Sequence, residues 1–567
     1  MSFFDNNILR TVVSFIAGAF SILLLLPYFS TNLAPPLTPV SLPPKFLYNT
    51  IIKSVAHLDA VLTTITPANL LLFRHAMGYL HTVELYTAAS LQIADVIYDV
   101  ENSFSQSSVS NMGITALAIA EKITNCTTAD IDNEPMSCPA VALRLTRLLR
   151  ACAAYGVFKE DLVHSTWSNT LLSSYLRINH PDSLRAVILN FGGVQYQMMA
   201  AMPESIISGT ASFQKVFNQE FWSWYEQHPT EHGIFDATMA QLGRLGGADY
   251  AIATDVPWDS LVDVIVDVGG GFGEMTASIV RENKKLERGY IFDMPHVIER
   301  SAQLWRKGRW KKTTPPPDSD AAAIVRGGRF NPAAEENLVE RVDLHPGDMF
   351  NASTFPSVII KLETNYLKFK ASYPVGDPTA ALDKCTHDAA PRFGYVLRDI
   401  LHDWSDIDSI RILKSLRQVM RGNETICYGT DGSKVVRPAP PKQQFKDRAF
   451  IVARIIVPGA NFVQSMGTTD ADIVMMGAFG TTAGERTVEH FKQLFEAADL
   501  ELVTVHPTRS HYSVLEVKAK PTPLNWGITG TGLRDRLPDR LPTKPSKDNN
   551  NNNNNEPTGT NPSTTEL

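Results

Sequence analysis

The hydrophobic pattern changes character twice along the chain. Residues 11–29, TVVSFIAGAFSILLLLPYF, form an uncharged run. As a helix it is just long enough for roughly 30 Å of hydrocarbon. Between 46 and 248 apolar residues recur at three- and four-residue spacing, notably over 75–98, 115–123 and 139–161, which predicts helices. Gly156 gives the last of these a C-cap. The stretch 167–177 reads as a short strand or wing leading into a helix. From Trp258 onward the period becomes that of buried strands: LVDVIVDV runs into glycines, a helical stretch follows, and GYIFD closes the unit. Further strands are predicted at 395–398, 449–457, 500–505 and 512–517, with helical patterns between them. This alternation predicts a doubly wound, Rossmann-like α/β domain behind a mostly helical one.

The resulting division is 1–45 (apolar segment and proline-rich linker), 46–248 (helical), 249–518 (α/β) and 519–567. The last part, with its prolines and asparagine run 549–555, is expected to be disordered. Segments 306–336 and 357–392 interrupt the α/β pattern as insertions, and 421–446 reads as a proline-rich loop. With 44% hydrophobic and 20% charged residues the chain is globular in composition. A net charge of -7 without a basic stripe argues against nucleic acid as partner. Five scattered cysteines lack a CxxC pair, so reduced thiols are expected, with neither zinc site nor disulfide framework. No cluster at metal-ligand spacing appears, so no metal is expected. The run 11–29 is a membrane anchor, a cleaved secretory signal or a buried apolar segment, with the anchor favoured. A cytoplasmic catalytic domain is expected, and the acceptor patterns at Asn125, Asn351 and Asn423 should then stay unmodified.

Chemistry concentrates at two places. Gly269, Gly271 and Gly273 let the backbone turn sharply against a ligand, and the next helix presents free N–H groups to it. Glu274 stands near the place of a third glycine and fits a pyrophosphate poorly, which argues against a nicotinamide oxidoreductase. Asp293 ends the second strand, where a carboxylate can accept both hydroxyls of a ribose. His402 lies at a strand-to-helix junction, where α/β proteins bind ligands. Its imidazole suits deprotonation of a phenol whose pKa is about 10.

The stretches VDVGGGFG, FDMPHVI, HPGDMF, LRDILHDWSD and DIVMMGAFGTTAGERT occur in that order. Together they resemble the plant and fungal small-molecule O-methyltransferases related to caffeate O-methyltransferase, a class I S-adenosylmethionine-dependent family. The likeness covers roughly 139–517. RLLRACAAYGVF and WSNTLLSSYLR resemble that family's winged-helix dimerisation domain. The resemblance implies S-adenosyl-L-methionine as cofactor, with Gly269 and Gly271 beside its methionine part. It implies Asp293 on the ribose, Asp348 and Met349 at the adenine, and Arg398 nearby. His402 becomes the general base acting on a small phenolic substrate, Glu485 one of two acids that orient it, and the protein a homodimer. The second acid is missing: Arg454 occupies its position. A dimeric scaffold that keeps the fold without catalysis is the alternative.

Overall fold

The computed structural model describes residues 42–104, 113–124, 126, 137–305, 332, 335–357, 391–420, 425–428, 434–437, 447–460 and 467–520. The apolar run 11–29, most of the two insertions and the tail beyond 520 lie outside the described residues. Among the described residues no single helix is long and apolar enough to cross a membrane.

After the helix Lys45–Ile65, helices Ala68–Ser90, Ile93–Phe104, Ala116–Ile123 and Cys138–Ala154 build the first core. They surround a small antiparallel sheet of β1 (Ile114–Thr115), β2 (Phe158–Asp161) and β3 (Thr166–Asn169), ordered β1-β3-β2. Local chemistry explains the boundaries. Ser137 caps the helix Cys138–Ala154 by accepting from the Ala140 N–H, Pro139 sits in its first turn, and Gly156 at φ +85° ends it. Leu145 and Leu149, one turn apart, bury against Ile93, Ile97, Ile119 and Trp167. The predicted wing at 167–177 covers the end of β3 and the short helix Leu171–Ser174 with a capping box at Thr170; β3's partner β2 falls at the end of the stretch 139–161 that the sequence predicts as helical.

One cysteine expectation is corrected here. Cys126 and Cys138 form a disulfide across 12 residues. The helix Cys138–Ala154 returns its first residue to the end of Ala116–Ile123, so the pair meets through tertiary folding and not through a short motif. Their Cα separation of 5.1 Å suits a bridge. Cys152 is a buried free thiol.

The second core surrounds a seven-stranded sheet ordered β11-β12-β10-β7-β4-β5-β6. Its strands are β4 (Val264–Val268), β5 (Arg288–Asp293), β6 (Val342–Pro346), β7 (Phe393–Arg398), β10 (Arg448–Ala453), β11 (Leu500–Pro507) and β12 (Ser513–Ala519). All five β4 residues are buried, as expected of a strand covered on both faces. The first five strands in chain order pair in parallel, and β12 runs antiparallel between β10 and β11. From β4 the chain winds to one side through β5 and β6, then to the other through β7 and β10. The β4/β7 boundary is therefore the topological switch point, where open α/β sheets hold ligands beyond the carboxyl ends of their strands. This is the doubly wound domain the sequence predicted.

Two expectations differ in detail. Within 421–446, read as a loop, β8 (Thr425–Tyr428) and β9 (Lys434–Arg437) form an antiparallel hairpin. The strand expected over 449–457 ends at Ala453 because the backbone leaves the sheet there. Ile455 bridges to Arg486, and the Ile456 N–H donates to the Arg486 carbonyl.

Candidate active site

Two loops meet at the switch point. The first follows β4, where Gly269, Gly271 and Gly273 all take positive φ, at +71°, +54° and +83°. A Cβ on Gly269 would lie 2.4 Å from Ile400 Cδ1, and one on Gly273 would lie 2.1 Å from Ile291 Cδ1. Above Gly271 there is open space. The outer two glycines therefore permit packing, and the middle one leaves room for a ligand. The Gly271 N–H donates to Asp293 Oδ2 at 2.9 Å, and the Met294 N–H donates to Oδ1 at 2.7 Å. Each carboxylate oxygen keeps a lone pair for a hydroxyl donor. Burial pushes the Asp293 carboxyl up, against those two bonds.

The adenine candidates reach the same corner. The Gly347 N–H donates to the Asp293 carbonyl at 2.9 Å, which seats 347–349 beside Asp293. Asp348 Oδ1 accepts from the Phe350 N–H at 2.9 Å, so this exposed carboxylate caps its own turn. Met349 is half-buried against the sheet core.

Charged groups lie behind the turn, paired with partners that the sequence reading missed. Asp267 is buried and accepts from the Thr276 hydroxyl at 2.6 Å; burial lifts it to about 6. Glu274, lifted by burial to about 7, is ion-paired with Arg244. Arg398 pairs with buried Asp249 of the helix Ala248–Asp255. The Arg398 guanidinium is therefore anchored within the protein instead of standing free for a ligand. Tertiary pairing across 30 residues for Arg244 with Glu274 and 149 for Asp249 with Arg398 reveals these partners. Glu274 Oε2 and Arg244 Nε are buried and meet no hydrogen-bond partner among the described residues. A buried unpaired acceptor and donor beside a glycine turn fit a ligand end carrying an ammonium and a carboxylate.

The second loop follows β7. The 3₁₀ turn Leu401–Asp403 carries His402, whose side chain is 11% exposed. Its Nδ1 lies 2.9 Å from Glu485 Oε1, and its Nε2 lies 3.3 Å from Asp403 Oδ1. Burial opposes protonation, but the carboxylates of Asp403 and Glu485 outweigh it and push the imidazole up to about 9. Glu485 is fixed by its backbone: its N–H donates to Asp472 Oδ1 at 2.8 Å, and the neighbouring Gly484 N–H donates to the His402 carbonyl at 2.9 Å. The predicted pair is thus brought together from positions 83 residues apart. Asp403, pushed up by burial to about 7, is an acid the sequence reading did not single out, although it adjoins His402.

With this geometry in view, the likeness to known proteins has a structural meaning. Residues 199–313 match the O-methyltransferase domain family. The chain is similar to O-methyltransferases in sequence and in fold. It is 24% identical to the phenazine O-methyltransferase of Lysobacter antibioticus over 80% of this chain and 96% of that protein. Among solved structures it superposes on LaPhzM with a TM-score of 0.54, at 22% identity, covering 80% of this chain and 100% of the other. Human N-acetylserotonin methyltransferase, solved in complex with S-adenosylmethionine, gives a TM-score of 0.52 at 16% identity, covering 80% and 99%. The shared fold spans both the helical part and the sheet.

Proposed function

We propose that this protein is an S-adenosylmethionine-dependent O-methyltransferase acting on a hydroxyl of a small phenolic metabolite, with His402 as general base. The carrying observation is the His402–Glu485 pair at 2.9 Å on the loop whose Ile400 packs on Gly269. Gly269 and Gly271 would border the methionine part, with Glu274 and Arg244 near its charged end. Asp293 would accept the ribose hydroxyls, and Asp348 and Met349 would flank the adenine. Arg398, anchored to Asp249, would support the turn electrostatically.

When bound, the cofactor supplies an electrophilic methyl group on a sulfonium. The protein's own residues would hold the acceptor hydroxyl in line and remove its proton at the imidazole Nε2, the nitrogen opposite the Nδ1 held by Glu485. Glu485 fixes the ring orientation and stabilises the imidazolium that forms. The order of the five motifs supports a place near the plant and fungal branch of the family. The exposed Phe46, Leu70, Leu72 and Phe73 on the first two helices support a homodimer through that face. The segment 11–29 would tether the catalytic part to a membrane, with that part on the cytoplasmic side.

The deciding experiment is labelled-methyl transfer across a panel of phenols, comparing the wild type with His402→Ala. Turnover should fall by about 10²–10⁴-fold while cofactor affinity stays within a few-fold. Near-normal turnover in the variant would remove His402 from the mechanism.

A further inference from the structure

Arg454 occupies the place of an expected acid, and a lone cation there would draw Glu485 away from His402. The structure shows that the cation is not alone. Arg454 Nη1 reaches Asp399 Oδ1 at 3.4 Å and Glu485 Oε1 at 3.3 Å, and its Nη2 donates to the Tyr512 hydroxyl at 3.2 Å. The Tyr512 O–H in turn donates to Asp399 Oδ2, closing a ring of three side chains. The side chains of Arg454 and Asp399 are only 13% and 20% exposed, and Glu485 is 1% exposed. Asp399 takes φ +52°, an unusual conformation for a residue other than glycine, and its N–H donates to the Val452 carbonyl. That kink turns the chain at the end of β7, immediately before the His402 loop.

We propose that Arg454 and Asp399 form a charge-swapped positioning pair that holds Glu485 in register on His402, in place of an orienting acid at position 454. Signs alternate along the chain of contacts: imidazole, Glu485 carboxylate, Arg454 guanidinium, Asp399 carboxylate. Asp399 cancels the Arg454 charge, so Glu485 Oε1 can serve both cations. Arg454 supplies what an acid could not, a planar fork that ties Asp399, Glu485 and Tyr512 together. Neither residue is placed against substrate.

The groups facing His402 set the sign of the test. Asp403 comes from its own turn, Glu485 from the segment after the helix Thr468–Phe479, and Asp399 from the end of β7. Arg454 follows β10 and Tyr512 precedes β12. Asp472 and Arg486 stand behind Glu485. Removing Asp399 leaves Arg454 uncompensated, which disfavours the imidazolium. Removing Arg454 leaves Asp399 uncompensated, which favours it.

The test is an NMR titration of histidine-labelled full-length protein, with His402→Gln identifying the signal among 14 histidines. The proposal rests on His402 as the base, but this readout needs no turnover, so its failure is separable from failure of the methyltransferase assignment. Asp399→Asn should lower the His402 midpoint by about one pH unit and Arg454→Gln should raise it similarly. The double variant should return to within about half a unit of wild type. Arg454→Lys, which keeps the charge and loses the fork, should leave the midpoint in place and lower kcat several-fold. Shifts of one sign in both single variants, or none in either, overturn the proposal. Should the single variants not fold, the double decides: a folded double near the wild-type midpoint supports the coupled pair, and an unfolded or strongly shifted one overturns it.

Discussion

Ile400 rests on Gly269 so closely that a Cβ at position 269 would come within 2.4 Å of its Cδ1. This contact ties the glycine turn to the loop that carries His402 two residues later. Gly269→Ala therefore has two costs, a positive φ for alanine and a displaced Ile400, of about 1–3 kcal/mol together. Both cofactor affinity and kcat should fall. Gly269→Ala/Ile400→Ala should recover part of kcat, because the steric component is relieved. Gly271→Ala meets open space, so its effect should appear in cofactor affinity more than in kcat. Calorimetry and single-turnover rates on the three variants check this ordering.

Asp293 has a structural duty as well as the proposed binding one, since its two oxygens accept the Gly271 and Met294 N–H groups. Asp293→Asn keeps the shape but turns one acceptor into a donor facing a backbone N–H. Cofactor affinity should drop by about 10–100-fold, the worth of one or two hydrogen bonds to a charged acceptor. Circular dichroism should show the fold retained. Unchanged affinity in calorimetry would remove Asp293 from the binding site.

The imidazole of His402, pushed up to about 9, sets opposite pH trends for rate and stability. A base must start neutral, so the methyl-transfer rate should climb from pH 7 toward 9. Stability runs the other way. A histidine whose folded pKa exceeds its unfolded value contributes fully below about 6.5 and loses that contribution as pH rises through about 9. Asp403, pushed up by burial to about 7, acts in the same direction but at lower pH: its contribution is lost between the ordinary carboxylate range and about 7, so the decline above pH 7 belongs to His402. The melting temperature should therefore decline between pH 6.5 and 9.5 while activity rises. His402→Gln should flatten part of the melting trend. A rate already at plateau at pH 6.5 would contradict the raised imidazole.

The sequence disclosed those parts of the site whose chemistry is local. A buried strand running into Gly269, a carboxylate closing the next strand and a histidine after a third strand each follow from short-range pattern and topology. Glu485 was legible through motif resemblance, and the structure brings it to His402. What stayed hidden depends on distant pairing. Asp249 with Arg398, and Arg244 with Glu274, are ordinary surface residue types until the fold buries them opposite one another. Arg454 looked like a defect because its compensation, Asp399, follows another strand, β7, and reaches it through a left-handed backbone kink. The strand β6 escaped notice because VDLHP is short and only partly buried. The Cys126–Cys138 bridge was missed because it pairs two helix ends and has no spacing signature.

That bridge makes the helical core sensitive to reductant. Closing a loop of this length restricts the unfolded chain, and a separation of 12 residues corresponds to roughly 3 kcal/mol in the chain-entropy description. Cys138 opens the helix Cys138–Ala154, whose Leu145 and Leu149 anchor the first core, so the constraint acts where that core is assembled. Reduction, or Cys126→Ser with Cys138→Ser, should lower the denaturant midpoint of the helical part and leave the environment of the sheet-packed Trp258 unchanged until later in the transition. Trp167, buried in the helical core, is the matching reporter there. Tryptophan-replacement variants that isolate Trp167 or Trp258 fluorescence, unfolded with and without reductant, separate the two. Identical midpoints for Trp167 in both conditions would mean that the bridge adds nothing to this core.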